Sequence, residues 1–329
     1  MVTITDIAEA LGITPSTVSR ALAGSPRVKE DTRVAVQRKA AEMGYQRNVV
    51  ASNLRKGKSD IVGIVVPRIN RQFFANVIGG AESVLNAAGY YILICQTMES
   101  CEAEARILKA LRNNQVAGVL LSHAIDARDS SHFSALGNIP LVQFDRVFSD
   151  YPGAKIVSTN FEGAYEATKH LIDNGYRRIG TIAGYMTSAA YADRLAGYRK
   201  ALEDNGIPVD ESIIFYDSIV RETGYDAGLK AIEAGCDALY SAGDFSALGA
   251  TDALKERGLR IPEDFGIVGT ANEFFTSLMT PALSSLGQNP FEMGKEAARA
   301  FLEGDTGTTV IPMKLHIRTS SNRKSICLK

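Results

Sequence analysis

Residues 2–25 read VTITDIAEALGITPSTVSRALAGS. Ile4, Ile7, Ala8 and Leu11 recur at i, i+3, i+4 and i+7, the apolar stripe of a buried helix face. Thr3 and Asp6 supply a T-x-x-D start signal, whose hydroxyl and carboxylate pair with N–H groups left free by the first turn. Gly12 ends that helix. Thr14 then Pro15 is an N-cap followed by proline at the first helical position, where an N–H would be unpaired anyway. The second helix, 15–22, turns Val18 and Leu22 inward. A helix, a tight turn and a second short helix make a helix-turn-helix candidate. A third helix is expected over about 30–43, ending at Gly44.

Charge is spread unevenly around this segment. Residues 1–60 hold ten Lys/Arg against six Asp/Glu, a balance of +4 in a chain whose net charge is −1, so the remainder stands at −5. A basic head on an acidic body suits a polyanion partner. A solvated basic face gives the same arithmetic, so charge alone does not decide.

From residue 61 the pattern changes. Strands are expected over 61–66, 90–95, 116–121, 140–144, 156–158, 179–183, 213–216, 238–241 and 265–268. Helices are expected over 73–88, 101–113, 161–174, 193–205, 221–234, 245–257 and 290–303. Several helices end at Gly89, Gly175, Gly206 or Gly258, as left-handed C-caps require. Apolar strands alternating with helices predict parallel sheets covered on both faces. About nine strands and seven helices divide more comfortably into two Rossmann-like lobes of about five strands each, with a ligand cleft between them.

Composition excludes several classes. A chain of 329 residues with 45% hydrophobic and 22% charged residues is an ordinary globular protein of two or three domains. The longest apolar runs, 61–67 and 116–121, fall far short of the ~20 residues of a membrane span. Asp6 and Glu9 interrupt any signal-peptide pattern. A cytoplasmic protein without a membrane partner is therefore expected. Cys95, Cys101, Cys236 and Cys327 are scattered, with no CxxC, and the histidines lie far apart, so reduced thiols and no metal are expected. Gly57, Lys58 and Ser59 imitate the end of a phosphate-binding loop, but position 52 is Ser where that loop needs Gly, and no strand precedes it. GxGxxG, GxSxG and HExxH are absent. No catalytic residue and no cofactor is assigned, and an enzyme is not expected.

The head closely resembles that of the LacI family of bacterial transcription regulators. T-x-x-D-I-A followed by TVSR-x-L carries the resemblance, and it continues through FFANVIGGAESVLNAAGYYILIC (73–95), KHLIDNGYRRIGTIAG (169–184), RLAGYRKALEDNGIPVDE (194–211) and GDFSALGATDALKERGLRIPEDFGIVG (243–269). It spans essentially residues 2–320. It implies an all-α helix-turn-helix DNA-binding head (1–47), a hinge helix and linker (48–60), and an α/β two-lobed core like a periplasmic binding protein, with two Rossmann-like parallel sheets. By that resemblance the N-lobe is 61–160 plus 291–320, the C-lobe is 161–290, and 321–329 is a tail.

The implied function is a sequence-specific DNA-binding regulator, expected as a repressor, that grips a palindromic operator as a homodimer. Pro15, Ser16 and Arg20 match the family's base-reading positions. Pro15 donates no hydrogen bond, so polar readout falls on Ser16 and Arg20, whose guanidinium could fork onto guanine or merely meet phosphate. Thr5, Thr17, Ser19 and Arg27 match phosphate contacts, and the position of Arg27 is one where some family members also read a base. Asn48, Ala51, Leu54 and Arg55 fall in the hinge-helix stretch, too short to be a stable helix alone. Leu54 is the expected minor-groove wedge at a central CpG step.

A small effector, a sugar or another polar metabolite, is implied between the lobes. Arg71, Phe73, Phe74, Asp145, Arg194, Ile219, Asp244 and Asn272 occupy the matching positions. Arg194 is the expected bidentate clamp. One of Phe73 and Phe74 is expected in the core, and Asp145 could simply pair with Arg146. One departure is plain: many members read Gly-aromatic-Asp-Asp where this chain reads Gly269, Thr270, Ala271 and Asn272. Ala271 cannot hold sugar hydroxyls, and Asn272 or Glu273 would substitute in part. That keeps a second reading open, control by a protein partner as in one branch of the family; a third, a ligand-binding module that no longer reads an operator, is opposed only by the intact motif of the head. Helix 73–88 and the segment 101–113 are the expected dimer faces. The C-terminus has no leucine heptads for a tetramer.

Overall fold

A computed structural model of the chain describes residues 2–45, 59–216 and 219–323. Two units separate in it, Met1–Ser59 and Asp60–Lys329.

In the first unit, the Thr3 hydroxyl accepts the N–H of Asp6 and the Asp6 carboxylate accepts the N–H of Thr3, so α1 (Ile4–Leu11) starts in a complete capping box. Gly12 stops it at φ 65°, a left-handed conformation that glycine adopts without strain. α2 (Pro15–Leu22) starts from Thr14, whose hydroxyl accepts the N–H of Thr17. α3 (Glu30–Glu42) crosses both. Ile7, Ala8, Val18, Ala21, Val36 and Ala40 form the core where the three helices meet. Leu22, expected inward, reaches only the edge of that core; Ala21, three residues after Val18, takes the buried place.

In the second unit, β1 (Ile61–Val66), β2 (Tyr91–Gln96), β3 (Gly118–Leu121), β4 (Leu141–Phe144), β5 (Lys155–Ser158) and β11 (Thr308–Ile311) form a parallel sheet in the order β11-β5-β4-β3-β1-β2. α4 (Gln72–Ala87), α5 (Cys101–Asn113) and α10 (Pro290–Glu303) belong to this lobe. β6 (Ile179–Gly184), β7 (Ile214–Tyr216), β8 (Ala238–Ser241), β9 (Gly266–Thr270), β10 (Ser284–Gly287) and β12 (Lys314–His316) form the other sheet, in the order β12-β10-β9-β8-β6-β7 with only β12 antiparallel. α6 (Asn160–Asp173), α7 (Ala189–Asp204), α8 (Arg221–Glu233) and α9 (Asp244–Glu256) belong here.

β1, β3 and β4 are almost wholly apolar and buried, as double coverage demands. α4 and α10 touch backbone to backbone: a Cβ on Gly294 would strike the Val77 carbonyl, and one on Gly80 the Phe291 carbonyl. The chain passes between lobes three times, after β5, after β10 and after β11.

Three expectations need correction. The described residues hold twelve strands, six per sheet, rather than about nine. β10, β11 and β12 were not foreseen, because SSLG, TTVI and KLH are short and carry little apolar signal. Residues 314–316 also pair with β10 of the second lobe, so the stretch 291–320 does not belong to the first lobe throughout.

Candidate functional site

In the head, α2 presents a polar surface. On α2, Val18 and Ala21 are buried while Pro15, Ser16 and Arg20 are exposed, with Thr17 and Ser19 half-buried at the flanks. Thr5 and Arg27 are exposed beside it in sequence. The Thr14 hydroxyl lies 2.9 Å from the hydroxyls of both Ser16 and Thr17, so the helix cap also positions the first polar side chain of the exposed face. Arg20 and Arg27 make no ion pair among the described residues, which leaves both cations available to an anion. Asn48, Ala51, Leu54 and Arg55 lie outside the described residues.

The second unit holds a cavity of about 220 Å³ between its lobes. Its walls come from the carboxyl ends of the strands. Arg68 follows β1, Glu99 follows β2, Asp145 and Arg146 follow β4, and Asp244 follows β8. Strand order reverses beside β1 in one sheet and beside β6 in the other, the topological points at which doubly wound folds open a crevice. α4 contributes Phe73 and Phe74 and α7 contributes Tyr191 and Arg194.

Arg71, Phe73, Phe74, Asp145, Arg194, Ile219 and Asp244, positions that the resemblance assigns to an effector, all line this cavity. Phe73 and Phe74, at 8% and 5% exposure, both belong to the core of the first lobe, not one of them alone. They meet edge to face at 5.1 Å. Asp145 forms no ion pair with Arg146; its carboxylate accepts from Gln288 Nε2 at 3.3 Å. Burial pushes Asp145 above the usual carboxylate range, while Arg146 and Arg194 hold it back. Arg194 is 95% hidden and donates from Nε to Asn160 Oδ1 and from Nη1 to the Ala242 carbonyl, both at 2.9 Å.

Asp244 is buried, and both its oxygens are engaged. One accepts the Ser285 hydroxyl at 2.7 Å and the other the N–H of Glu273 at 2.8 Å. Burial pushes its carboxyl up to about 7, against those hydrogen bonds.

Asn272 is the exception. It does not line this cavity but a larger one of about 750 Å³, shared with Asn76, Lys314 and His316, and its side-chain oxygen accepts from Arg318 at 2.7 Å. Its residue has φ 52° after Ala271 at φ 117°, a turn that sets position 272 on the wall of the larger cavity while Glu273 reaches both. Of the two suggested substitutes for the missing carboxylate, Glu273 is the one that reaches the cavity.

Sequence reasoning missed Glu99 and Arg146, paired at 2.7 Å at the cavity edge, together with Tyr191 and Gln288. Nothing local marks Glu99 and Arg146 as partners across 47 residues. The lobes also touch across the cleft. The Phe274 N–H donates to Gln72 Oε1 at 2.6 Å, the Thr187 hydroxyl to the Ile125 carbonyl at 3.1 Å, and the Arg71 guanidinium lies 3.7 Å from the centre of the Phe245 ring.

Comparison with known proteins follows the same division. Residues 3–48 match the bacterial regulatory proteins of the lacI family, and residues 168–323 match the periplasmic binding protein-like domain. The chain is 31% identical over 305 residues to the HTH-type transcriptional repressor PurR of Actinobacillus pleuropneumoniae serotype 3, covering 92% of this chain and 91% of that protein. It is 32% identical over 306 residues to the ribose operon repressor of Haemophilus influenzae, covering 92% of each. The lac repressor dimer bound to operator and the anti-inducer ONPF superimposes with a TM-score of 0.86 at 25% identity, over 97% of this chain and 99% of that one.

Proposed function

The chain belongs to the LacI family and is a DNA-binding transcription regulator, and on that premise we propose that it represses from a palindromic operator, as a homodimer, under control of a small polar metabolite bound between its lobes. The observation that carries this reading is α2, which buries Val18 and Ala21 and turns Pro15, Ser16 and Arg20 to solvent. Ser16 and Arg20 read bases; Thr5, Thr17, Ser19 and Arg27 hold phosphates and fix the register. Leu54, with Asn48, Ala51 and Arg55, serves the hinge, where a leucine wedge opens the central step of the minor groove.

Residues 1–47 act as the head, 48–60 as hinge and linker, 61–160 with 291–311 as one lobe, and 161–290 with 312–320 as the other. The cavity at the strand ends takes the effector, with Arg194 and Asp145 as its polar anchors. The homodimer reading is supported by the lac repressor, on which this chain superimposes and which is a dimer on its operator. Among the described residues no helix is long and apolar enough to cross a membrane, and action in the cytoplasm beside the chromosome fits the reading.

Binding selection tests it. Purified protein is offered genomic fragments at fixed, near-physiological salt, because phosphate contacts make affinity steeply salt-dependent. The expected outcome is a palindrome of roughly 14–20 base pairs whose half-sites lie about one helical turn apart, lost on Arg20→Ala. No enriched sequence, with or without pooled metabolites, would reject operator reading.

A further inference from the structure

The interlobe cavity holds guanidiniums that form no ion pair with its own carboxyls among the described residues. Four guanidiniums line it, from Arg68, Arg71, Arg146 and Arg194, facing four carboxyls, from Glu99, Asp145, Asp244 and Glu273. The carboxyls are largely committed. Glu99 takes Arg146 on both oxygens and the N–H of Ile125 besides. Asp244 is occupied by Ser285 and the Glu273 N–H, and burial holds it near half-protonated at neutral pH. The Glu273 carboxylate meets the N–H groups of Phe73 and Gln72 at the start of α4 and lies near Arg71. Ala271, at the end of β9, adds a methyl group to the wall.

The cations are less well served. Arg194, 95% hidden, bonds only to neutral oxygens, and its Nη2 makes no hydrogen bond among the described residues. Arg68 makes neither an ion pair nor a hydrogen bond among the described residues. Arg71 rests on the Phe245 ring. Asp145, close enough to feel both Arg146 and Arg194, has no cation bonded to it among the described residues. Buried charge without a bonded counter-charge is costly, and a ligand that brings one converts that cost into affinity.

We infer that the effector is a small anion of about monosaccharide size, a polyhydroxylated molecule carrying a carboxylate or phosphate that Arg194, Arg68 and Arg71 neutralise. This rests on the reading of the cleft as the effector site. A carboxylate or phosphate offers the paired oxygens that a guanidinium fork accepts, while Asp145 and Gln288 take the hydroxyls. The cavity of about 220 Å³ lies below the usual range for drug-sized ligands and excludes larger oligosaccharides.

Calorimetric titration of the full-length chain tests this with glucuronate, gluconate, glucose 6-phosphate, glucose and hypoxanthine at one salt concentration. At least one of the three anions is expected to bind ten-fold or more tightly than glucose, and to weaken as salt rises. Preference for the acids assigns a carboxylate; preference for the ester assigns a phosphate. Arg68→Gln, at a half-buried side chain without a partner among the described residues, should fold normally and weaken the anion at least ten-fold, more than it weakens glucose. Glucose or hypoxanthine binding as tightly as every anion overturns the anion while the cleft keeps its role as effector site. If none of the five binds or raises the unfolding temperature at millimolar concentration, the effector reading of the cleft falls and the anion with it.

Discussion

The guanidinium of Arg146 forks onto both carboxylate oxygens of Glu99, at 2.7 and 3.3 Å, with both side chains nearly enclosed. Glu99 also accepts the N–H of Ile125, and Arg146 donates to the carbonyl of His123, so the pair ties the loop after β3 to those after β2 and β4. Ile125 in turn accepts Thr187 from the other lobe. An ion pair here links the cavity wall to the contact that spans the cleft.

Breaking that pair from one side leaves a buried charge alone. Glu99→Gln is expected to destabilise the chain by about 3–5 kcal/mol, and Arg146→Met by a similar amount. The double variant Glu99→Gln/Arg146→Met should recover most of the loss, because no lone charge remains. Denaturant unfolding of the four proteins checks this as a double-mutant cycle. Additive losses would mean that the two side chains act separately.

The contact of α4 with α10 makes a second prediction. Gly294→Ala places a methyl group against the Val77 carbonyl, a backbone atom that cannot rotate away. Overpacking of this kind costs about 1–3 kcal/mol and more where backbone must move. Gly304→Ala, at φ 67° with open space around it, meets no atom and should cost only the strain of a left-handed alanine, on the order of 1 kcal/mol. Thermal unfolding of both variants should rank Gly294→Ala as the more damaging.

Asp244 predicts a pH dependence. Its folded-state carboxyl titrates near 7, above the ordinary 3.8, chiefly because it is buried. Between those values the native chain keeps a proton that the unfolded chain has released, so this group's contribution to stability is complete below about 4 and is lost as pH rises through 7. Asp244→Asn should remove that loss. Its amide can still accept the Glu273 N–H and can donate to the Ser285 hydroxyl, which then turns acceptor. Unfolding free energies at pH 5 and pH 8 should therefore differ less in the variant, with a gain at pH 8 on the order of 2 kcal/mol. An unchanged pH profile would show that Asp244 is ionised throughout.

Much of this architecture was readable along the chain, and the failures share a cause. β1 came out with its observed bounds because IVGIVV is a continuous apolar run between polar flanks, and α2 because Thr14 and Pro15 mark its start. β10 reads SSLG and looks like a turn. It is buried because its serines are paired in space: Ser284 with Arg318 and Ser320, Ser285 with Asp244 and Asn272. Those partners lie up to 41 residues away, so no window of sequence reveals them. The cavity divides the same way. Residues at the ends of legible strands, such as Asp145 and Asp244, were found. Glu99 and Arg146 depend on a pairing that only the fold creates. Asn272 was misplaced because the reversal at Ala271 and Asn272 uses positive φ without a glycine to announce it.

The head supplies the last prediction. Arg20 and Arg27 are both exposed and lack ion pairs among the described residues, so replacing either should leave the head folded. Their effects on DNA should differ in kind. Arg20→Met removes a fork that reads a base edge, so it should cost about 1–3 kcal/mol on the preferred operator and little on scrambled sequence. Arg27→Met removes a phosphate contact. It should weaken operator and scrambled DNA alike and lower the slope of log affinity against log salt by about 1 for each of the two copies in the dimer. Titrating both variants on both DNAs over a range of salt separates the roles. Equal losses on operator and scrambled DNA for Arg20→Met would make Arg20 a phosphate contact and leave Ser16, held by Thr14 at 2.9 Å, as the polar base reader of α2.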